Sequence, residues 1–477
     1  MYQVQLGKGE TNSHAEDTQF RLDYAIDEFP GPVKSFLFGM QHVLVMFTAM
    51  VGAPLIVARL LNLPPEQSVT IVVASMLACG IGTIISSLGI GFIGPRLPIV
   101  MGTFYVFIGP IVSTAKTSSL AVAMSAMIVA AVIQFLISPL FGKLHRLFPP
   151  IVTGTILVII GVCLMKLAIN AAVGFNTPGF AKPTTLALSS TMILLILVIG
   201  RLARGMVRAL SLLIAMIAGY AIAAALGLVN FDTIAHARWL ATPTFMPYGG
   251  FVWPGFTSVV VMLVCFLCAG GETTGHTLAV SKICGVEPTE ARIRGAVAND
   301  GLSSGLSALF GGMPLTSYSQ NIGAIAITGV GSRFVVAVGG VCLVLMAMVP
   351  KFGALVALIP GPVLGGALIF MFGMIASVGV SIIGKTMSGR RDAILFATAI
   401  GISVGITTAP ANAFDVVPPV LRILLTDGIV MGILTAVILN LFLPAEEQEA
   451  ESAHGVPEPG SHFAPDIGGE PQTELKA

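Results

Sequence analysis

From residue 34 to 444 the chain is a succession of apolar runs of about 20 residues, among them "SFLFGMQHVLVMFTAMVGAPLIV", "AVAMSAMIVAAVIQFLISPLF" and "GIVMGILTAVILNLFLP". A run of that length crosses the hydrocarbon of a bilayer as a helix, which satisfies all of its own backbone N–H and C=O groups there. Composition agrees. Of 477 residues, 55% are hydrophobic and 10% charged, against about 25% charged in soluble domains. The fold class that follows is an all-α polytopic membrane protein with the lipid bilayer as its first partner. A formal charge of +1 gives no reason to expect nucleic acid.

Pro, Gly and charge punctuate this apolar sequence into fourteen expected spans: 34–58, 68–90, 98–114, 118–141, 149–172, 184–203, 208–228, 255–282, 292–310, 314–329, 332–349, 353–383, 392–408 and 426–444. With the N-terminus in the cytoplasm, the loops on that side hold Arg96; Lys143 and Arg146; Arg201, Arg204 and Arg208; Lys282, Arg292 and Arg294; Arg333; and Lys385, Arg390 and Arg391. The opposite loops hold Arg59, Lys116, Lys166, Lys182, Arg238, Lys351 and Arg422. A bias of roughly two to one places both termini in the cytoplasm. The polar ends, 1–31 and 446–477, read as solvated mobile tails around a transmembrane domain at 32–445. The leading tail has neither the basic start nor the short apolar core of a cleavable signal.

Two of the fourteen spans are short and interrupted. "RLPIVMGTFYVFIGP" (96–110) and "GMPLTSYSQNIGAIAITG" (312–329) each open near a Pro, pass through small and polar residues, and close as a Gly-punctuated half-helix. One is third in the first seven spans, the other third in the second seven. Two spans later "FPPIVTG" (148–154) matches "IPGPVLG" (359–365). An odd number of spans per repeat inverts the second half, so the expected architecture is an inverted 7+7 repeat. Paired interrupted segments in equivalent positions then point to a binding site near the midplane, built from short-strand and half-helix pieces.

The groups able to do chemistry gather around those segments. Glu272, in "CAGGETTGHTLAVSK", lies mid-span, where a carboxylate costs about 3 kcal/mol to insert and is a functional candidate by default. His276 follows at i+4 on the same face, and Asp300 in "AVANDGLSSG" is a second intramembrane acid. Burial disfavours a charged carboxyl, so Glu272 and Asp300, with His276, are candidates for binding and releasing protons. Ser319, Gln320 and Asn321 close a polar run. The two carboxamides donate and accept in one plane and complement a flat ligand with alternating N–H and C=O edges. Half-helix starts near Thr103 and Gly323 add backbone donors, and Phe104 or Tyr105 is placed to stack on a ring or simply to pack. Gln41 and His42 are polar inside the first span, where a helix-bridging hydrogen bond or a substrate contact would explain them. The six cysteines lie in or beside apolar segments and read as small hydrophobes; neither they nor other residues suggest a metal or cofactor. "GVSIIGKT" (379–386) matches the phosphate-loop pattern, yet it ends an apolar span and runs into a basic loop, so nucleotide binding is not expected.

These residues carry a resemblance to the nucleobase–ascorbate transporter family, also called nucleobase:cation symporter-2, over about 30–445. The signature is Gln320-Asn321-Ile322-Gly323 followed by Ala324 to Thr328 and Gly329, supported by Gln41-His42, Glu272 and Asp300-Gly301. The resemblance implies a core domain (about 32–142 and 255–350) moving against a gate domain (about 148–228 and 353–445), a homodimer in the cytoplasmic (inner) membrane, and proton- or sodium-coupled uptake. It also implies that Glu272 and Gln320 bind the base, that Asn321 shapes the site and that the acid at Asp300 is essential. Gln-Asn at 320–321 and Thr328-Gly329 resemble carriers of xanthine or uric acid, while His276 resembles uracil carriers. The expected function is transport of an oxidised purine rather than catalysis. Uracil transport is the alternative, with anion transport behind it.

Overall fold

The computed structural model describes residues 22–144, 149–175, 177–318, 320–410 and 425–443, together with 412–414, 416, 417 and 422. The first half comprises α1 (Pro32–Leu60), α2 (Pro65–Leu88), β1 (Met101–Thr103), a 3-10 turn (Tyr105–Phe107) leading into α3 (Ile108–Thr117), α4 (Leu120–Leu144), α5 (Pro150–Ala172), α6 (Pro183–Leu202), α7 (Gly205–Ala209) and α8 (Ser211–Ala225). After the short α9 (Asp232–His236) come α10 (Phe256–Ile283), α11 (Glu290–Leu309), β2 (Leu315–Ser317), α12 (Gln320–Thr328), α13 (Arg333–Ala347), α14 (Pro350–Ala357), α15 (Gly361–Thr386), α16 (Arg390–Thr408) and α17 (Gly428–Phe442). Among the described residues eight helices are long and apolar enough to cross a membrane, and the bent pair α13–α14 makes up to nine. Helices α8 and α17 are shorter and apolar.

Two expectations need correction. The single span read at 353–383 is divided, since α14 ends at Ala357 and α15 starts at Gly361; an 86° turn lies ahead of it, between α13 and α14. Pro350 and Pro362 stand in the first turns of their helices, where the missing N–H costs nothing, whereas in a helix interior each would remove a backbone hydrogen bond. The leading tail is also shorter than 1–31, because Asp23, Tyr24 and Ile26 are hydrogen-bonded to Gly329, Gly331 and Arg333. The rest of that tail and the trailing 446–477 lie outside the described residues.

Helices pair closely where side chains vanish. α2 runs against α13, α4 against α11 and α5 against α15, with α1 on α13 and α10 on α4. A Cβ on Gly80 would stand 2.7 Å from the Gly340 carbonyl, and one on Gly340 2.8 Å from that of Gly80. Gly154 and Gly379 meet in the same way, at 3.1 and 2.7 Å. In lipid, where apolar side chains gain little by leaving hydrocarbon, backbone contact of this kind is what favours association.

The two interrupted crossings meet as strands. β1 and β2 are antiparallel, with Met101 opposite Ser317, Gly102 opposite Thr316 and Thr103 opposite Leu315. Bonds from Phe104 N to Pro314 O (2.9 Å) and from Tyr318 N to Val100 O (3.1 Å) extend the pairing. Non-helical backbone is thereby satisfied within protein, the condition for its presence at membrane depth. Gly102 is required here, since a Cβ would fall 2.3 Å from Tyr318 Cζ. From this junction α3 and α12 lead away as the two half-helices.

Candidate functional site

Helix α10 presents Glu272 and His276 on one face, beside β2. His276 Nδ1 lies 2.9 Å from Ser317 Oγ and 3.0 Å from the Ser317 carbonyl. A carbonyl only accepts, which assigns the ring proton to Nδ1 and turns the Nε2 lone pair toward Glu272. Nε2 is 3.8 Å from Glu272 Oε1, so a proton on either group makes that contact attractive. Glu272 Oε2 is buried and has no hydrogen-bond partner. The two side chains are 13% and 11% exposed, which leaves a narrow opening onto them.

Hydroxyls lace the strand to its neighbours. Thr273 Oγ1 is 3.1 Å from Thr316 Oγ1 and accepts from Ser317 Oγ at 3.1 Å. Ser304 of α11 accepts from Leu315 N at 2.8 Å. On the other strand Thr103 Oγ1 donates to Met50 O of α1 at 2.6 Å, and Tyr318 OH donates to Thr103 O at 2.8 Å. Thr273, Thr316 and Ser317 are thus part of the site's frame. Thr316 and Ser317 open the polar run that leads to Gln320, whereas the only trace of Thr273 was its place next to Glu272.

Gln320 is the first residue of α12 and half-buried, three residues beyond the Ser317 that His276 touches. Asn321 is fully buried and committed: Oδ1 is 2.9 Å from His42 Nδ1, and Nδ2 donates to the Pro98 carbonyl. One carboxamide therefore ties α1, the strand entry and α12 together, which is the helix-bridging geometry considered for His42. His42 Nε2 is buried and unpartnered, and Gln41 beside it is half-buried. Asp300 on α11 is fully buried with neither carboxyl oxygen hydrogen-bonded. The Thr273 hydroxyl stands nearby, and Glu272 lies within electrostatic range.

The aromatic candidates are engaged by protein. Tyr105 OH donates to Ala49 O at 2.6 Å, and its ring meets Phe372 of α15 edge-on at 5.2 Å. Phe104 packs edge-on against Phe107 at 6.0 Å. Both are buried. Ser319 lies outside the described residues.

The chain as a whole has known relatives. A sequence model described as "Permease family" matches residues 33–412. The uric acid permease PucJ of Bacillus subtilis (strain 168) is 33% identical over 429 residues, covering 88% of this chain and 95% of the relative. The uric acid transporter UacT of Escherichia coli (strain K12) is 33% identical, with 89% of each chain covered. The xanthine permease of Bacillus subtilis is 32% identical over 88% of this chain and 97% of the relative. Among solved structures, the transmembrane domain of a cyanobacterium bicarbonate transporter, BicA, aligns with a TM-score of 0.58 at 15% identity, covering 88% of this chain and all of that one. SLC26A9 aligns at 0.59 and 12% identity, over 86% of this chain and 65% of that one. At such identities these two structures speak to the fold alone.

Proposed function

The chain belongs to the nucleobase:cation symporter-2 permease family, and from that premise we propose that it is a secondary active carrier taking an oxidised purine base, xanthine or uric acid, into the cell together with protons. It is a permease, not an enzyme. The observation that carries the reading is Glu272 Oε2, a buried carboxyl oxygen without a partner, held on α10 beside paired strands that lead straight into Gln320. A carboxyl oxygen accepts from ring N–H groups of a base, and the Gln320 carboxamide both donates and accepts along a mixed edge. A site built this way rejects analogues lacking those groups, because its own polar atoms would be left unpaired.

Asn321 and His42 fix the start of α12, with Gln41 next to them. Tyr105 walls the junction from the α1 and α15 side, Phe104 packs on Phe107 beside it, and Ser319 belongs to the same polar run. For coupling, Glu272 and His276 share a contact that one proton makes attractive, and Asp300 is a second acid whose charge would be uncompensated without one.

The inverted 7+7 repeat of fourteen spans is supported by how the helices pair. α2 on α13 is the repeat image of α11 on α4, α1 on α13 is the image of α10 on α4, and α5 on α15 maps onto itself. Core and gate domains then move against each other, in a homodimer of the inner membrane with both termini cytoplasmic. Competition uptake tests the reading: labelled xanthine against unlabelled urate, hypoxanthine, uracil and ascorbate, with and without a protonophore. Inhibition by urate and collapse with the protonophore are expected. Inhibition by uracil alone would favour the second reading, a uracil carrier, for which His276 is the argument. Uptake indifferent to every base would dismiss both.

A further inference from the structure

We propose that residues 22–28 form a positioning strap that holds the far end of α12, and so sets where Gln320 stands; the link to Gln320 rests on its reading as a base contact. Asp23 N and Tyr24 N donate to Gly329 O at 2.8 and 3.2 Å, Gly331 N donates to Tyr24 O at 2.9 Å, and Arg333 N donates to Ile26 O at 3.0 Å. Tyr24 and Val330 form a parallel bridge. Ser332 Oγ donates to Glu28 O at 2.5 Å, and Arg333 Nε donates to Asp27 Oδ1 at 2.6 Å.

The receiving stretch, Gly329-Val330-Gly331-Ser332, is shaped for this segment. The nearest atoms to a Cβ on Gly329 belong to Asp23, at 3.0 and 3.1 Å. For Gly331 they belong to Leu22 Cδ1 at 2.7 Å and Tyr24 O at 3.2 Å. The Gly329 that closes the signature motif therefore meets the strap.

Helix α12 needs such a hold. It has nine residues, too few to persist unaided, and Gly323 and Ile327 are exposed on its outer side. Asn321 secures one end to α1 and Pro98, and the strap secures the other. Ser332 also caps α13, accepting from Val335 N at 3.4 Å, so strap, α12 and α13 form one unit.

The test replaces residues 22–28 by a Gly–Ser linker of equal length in the full chain, with Gly331→Val as a second variant that displaces Leu22 while keeping the segment. Hydrogen exchange of the α12 amides should accelerate by about tenfold or more in each. The half-saturating concentration for xanthine uptake should rise on the order of tenfold while the maximal rate holds within about twofold. Unchanged exchange in α12 overturns the proposal whatever uptake does. Faster exchange with unchanged half-saturation, in a protein whose Gln320→Ala variant has lost uptake, overturns the link to binding. Should Gln320→Ala transport normally, the base-contact reading has failed, and faster exchange alone upholds the strap's hold on α12.

Discussion

Replacing Glu272 by Gln separates a binding role from a supporting one. The substitution keeps size and one acceptor but turns the other oxygen into an NH2 donor. Oε2 has no partner and Oε1 is 3.8 Å from His276 Nε2, beyond ordinary hydrogen-bond range. No internal bond is therefore broken, and a buried carboxyl without a partner is a cost to folding that the amide reduces. The melting temperature in detergent should hold or rise. Binding should suffer. A hydrogen bond to a charged group contributes about 1.5–3 kcal/mol, which converts to a loss of roughly 10- to 150-fold in affinity. The new NH2 facing a ring N–H pushes toward the upper end. The assay is initial-rate uptake of labelled xanthine and urate, with surface abundance checked by immunoblot and melting followed by dye. Uptake within about twofold of the parent at equal abundance would mean that Glu272 does not hold the base. Lost uptake accompanied by a lowered melting temperature would instead make Glu272 a structural support.

His42→Ala leaves the Asn321 carbonyl oxygen buried and unpaired, an expected cost of about 1–3 kcal/mol, read as a lowered melting temperature; an unchanged one would remove the bridge from the account. Tyr105→Phe keeps the ring on Phe372 and loses the hydroxyl's bond to Ala49 O and its longer contact with Met371 Sδ, so a stability loss of about 1 kcal/mol with near-normal uptake is expected, whereas lost uptake would mean the hydroxyl meets the substrate. Gly340→Val drives a side chain into the Gly80 carbonyl 2.8 Å away, and protein in the membrane should fall to a small fraction of the parent; normal abundance would show that the α2–α13 contact tolerates separation.

The interrupted crossings were legible because Pro98, Pro314 and the run from Thr316 to Asn321 suit no continuous hydrocarbon-embedded helix. Glu272 with His276 was legible as a pair from the i+4 spacing alone. What Asn321 touches was not, because the direction of a half-helix side chain depends on where α1 passes, and α1 lies some 280 positions earlier. The break between α14 and α15 was marked by Pro360 and Pro362, yet the apolar residues on either side blend it into one span. The docking of 22–28 was hidden more deeply. Its ladder is backbone to backbone, and the two glycines that receive it say only that space is scarce, not which segment fills it.

A structure with xanthine bound decides whether Glu272 and Gln320 hold one flat base between them. The ring should lie within hydrogen-bond distance, about 2.7–3.2 Å, of both the Glu272 carboxyl and the Gln320 carboxamide. A base found in contact with only one of them, or away from the β1–β2 junction, would contradict it.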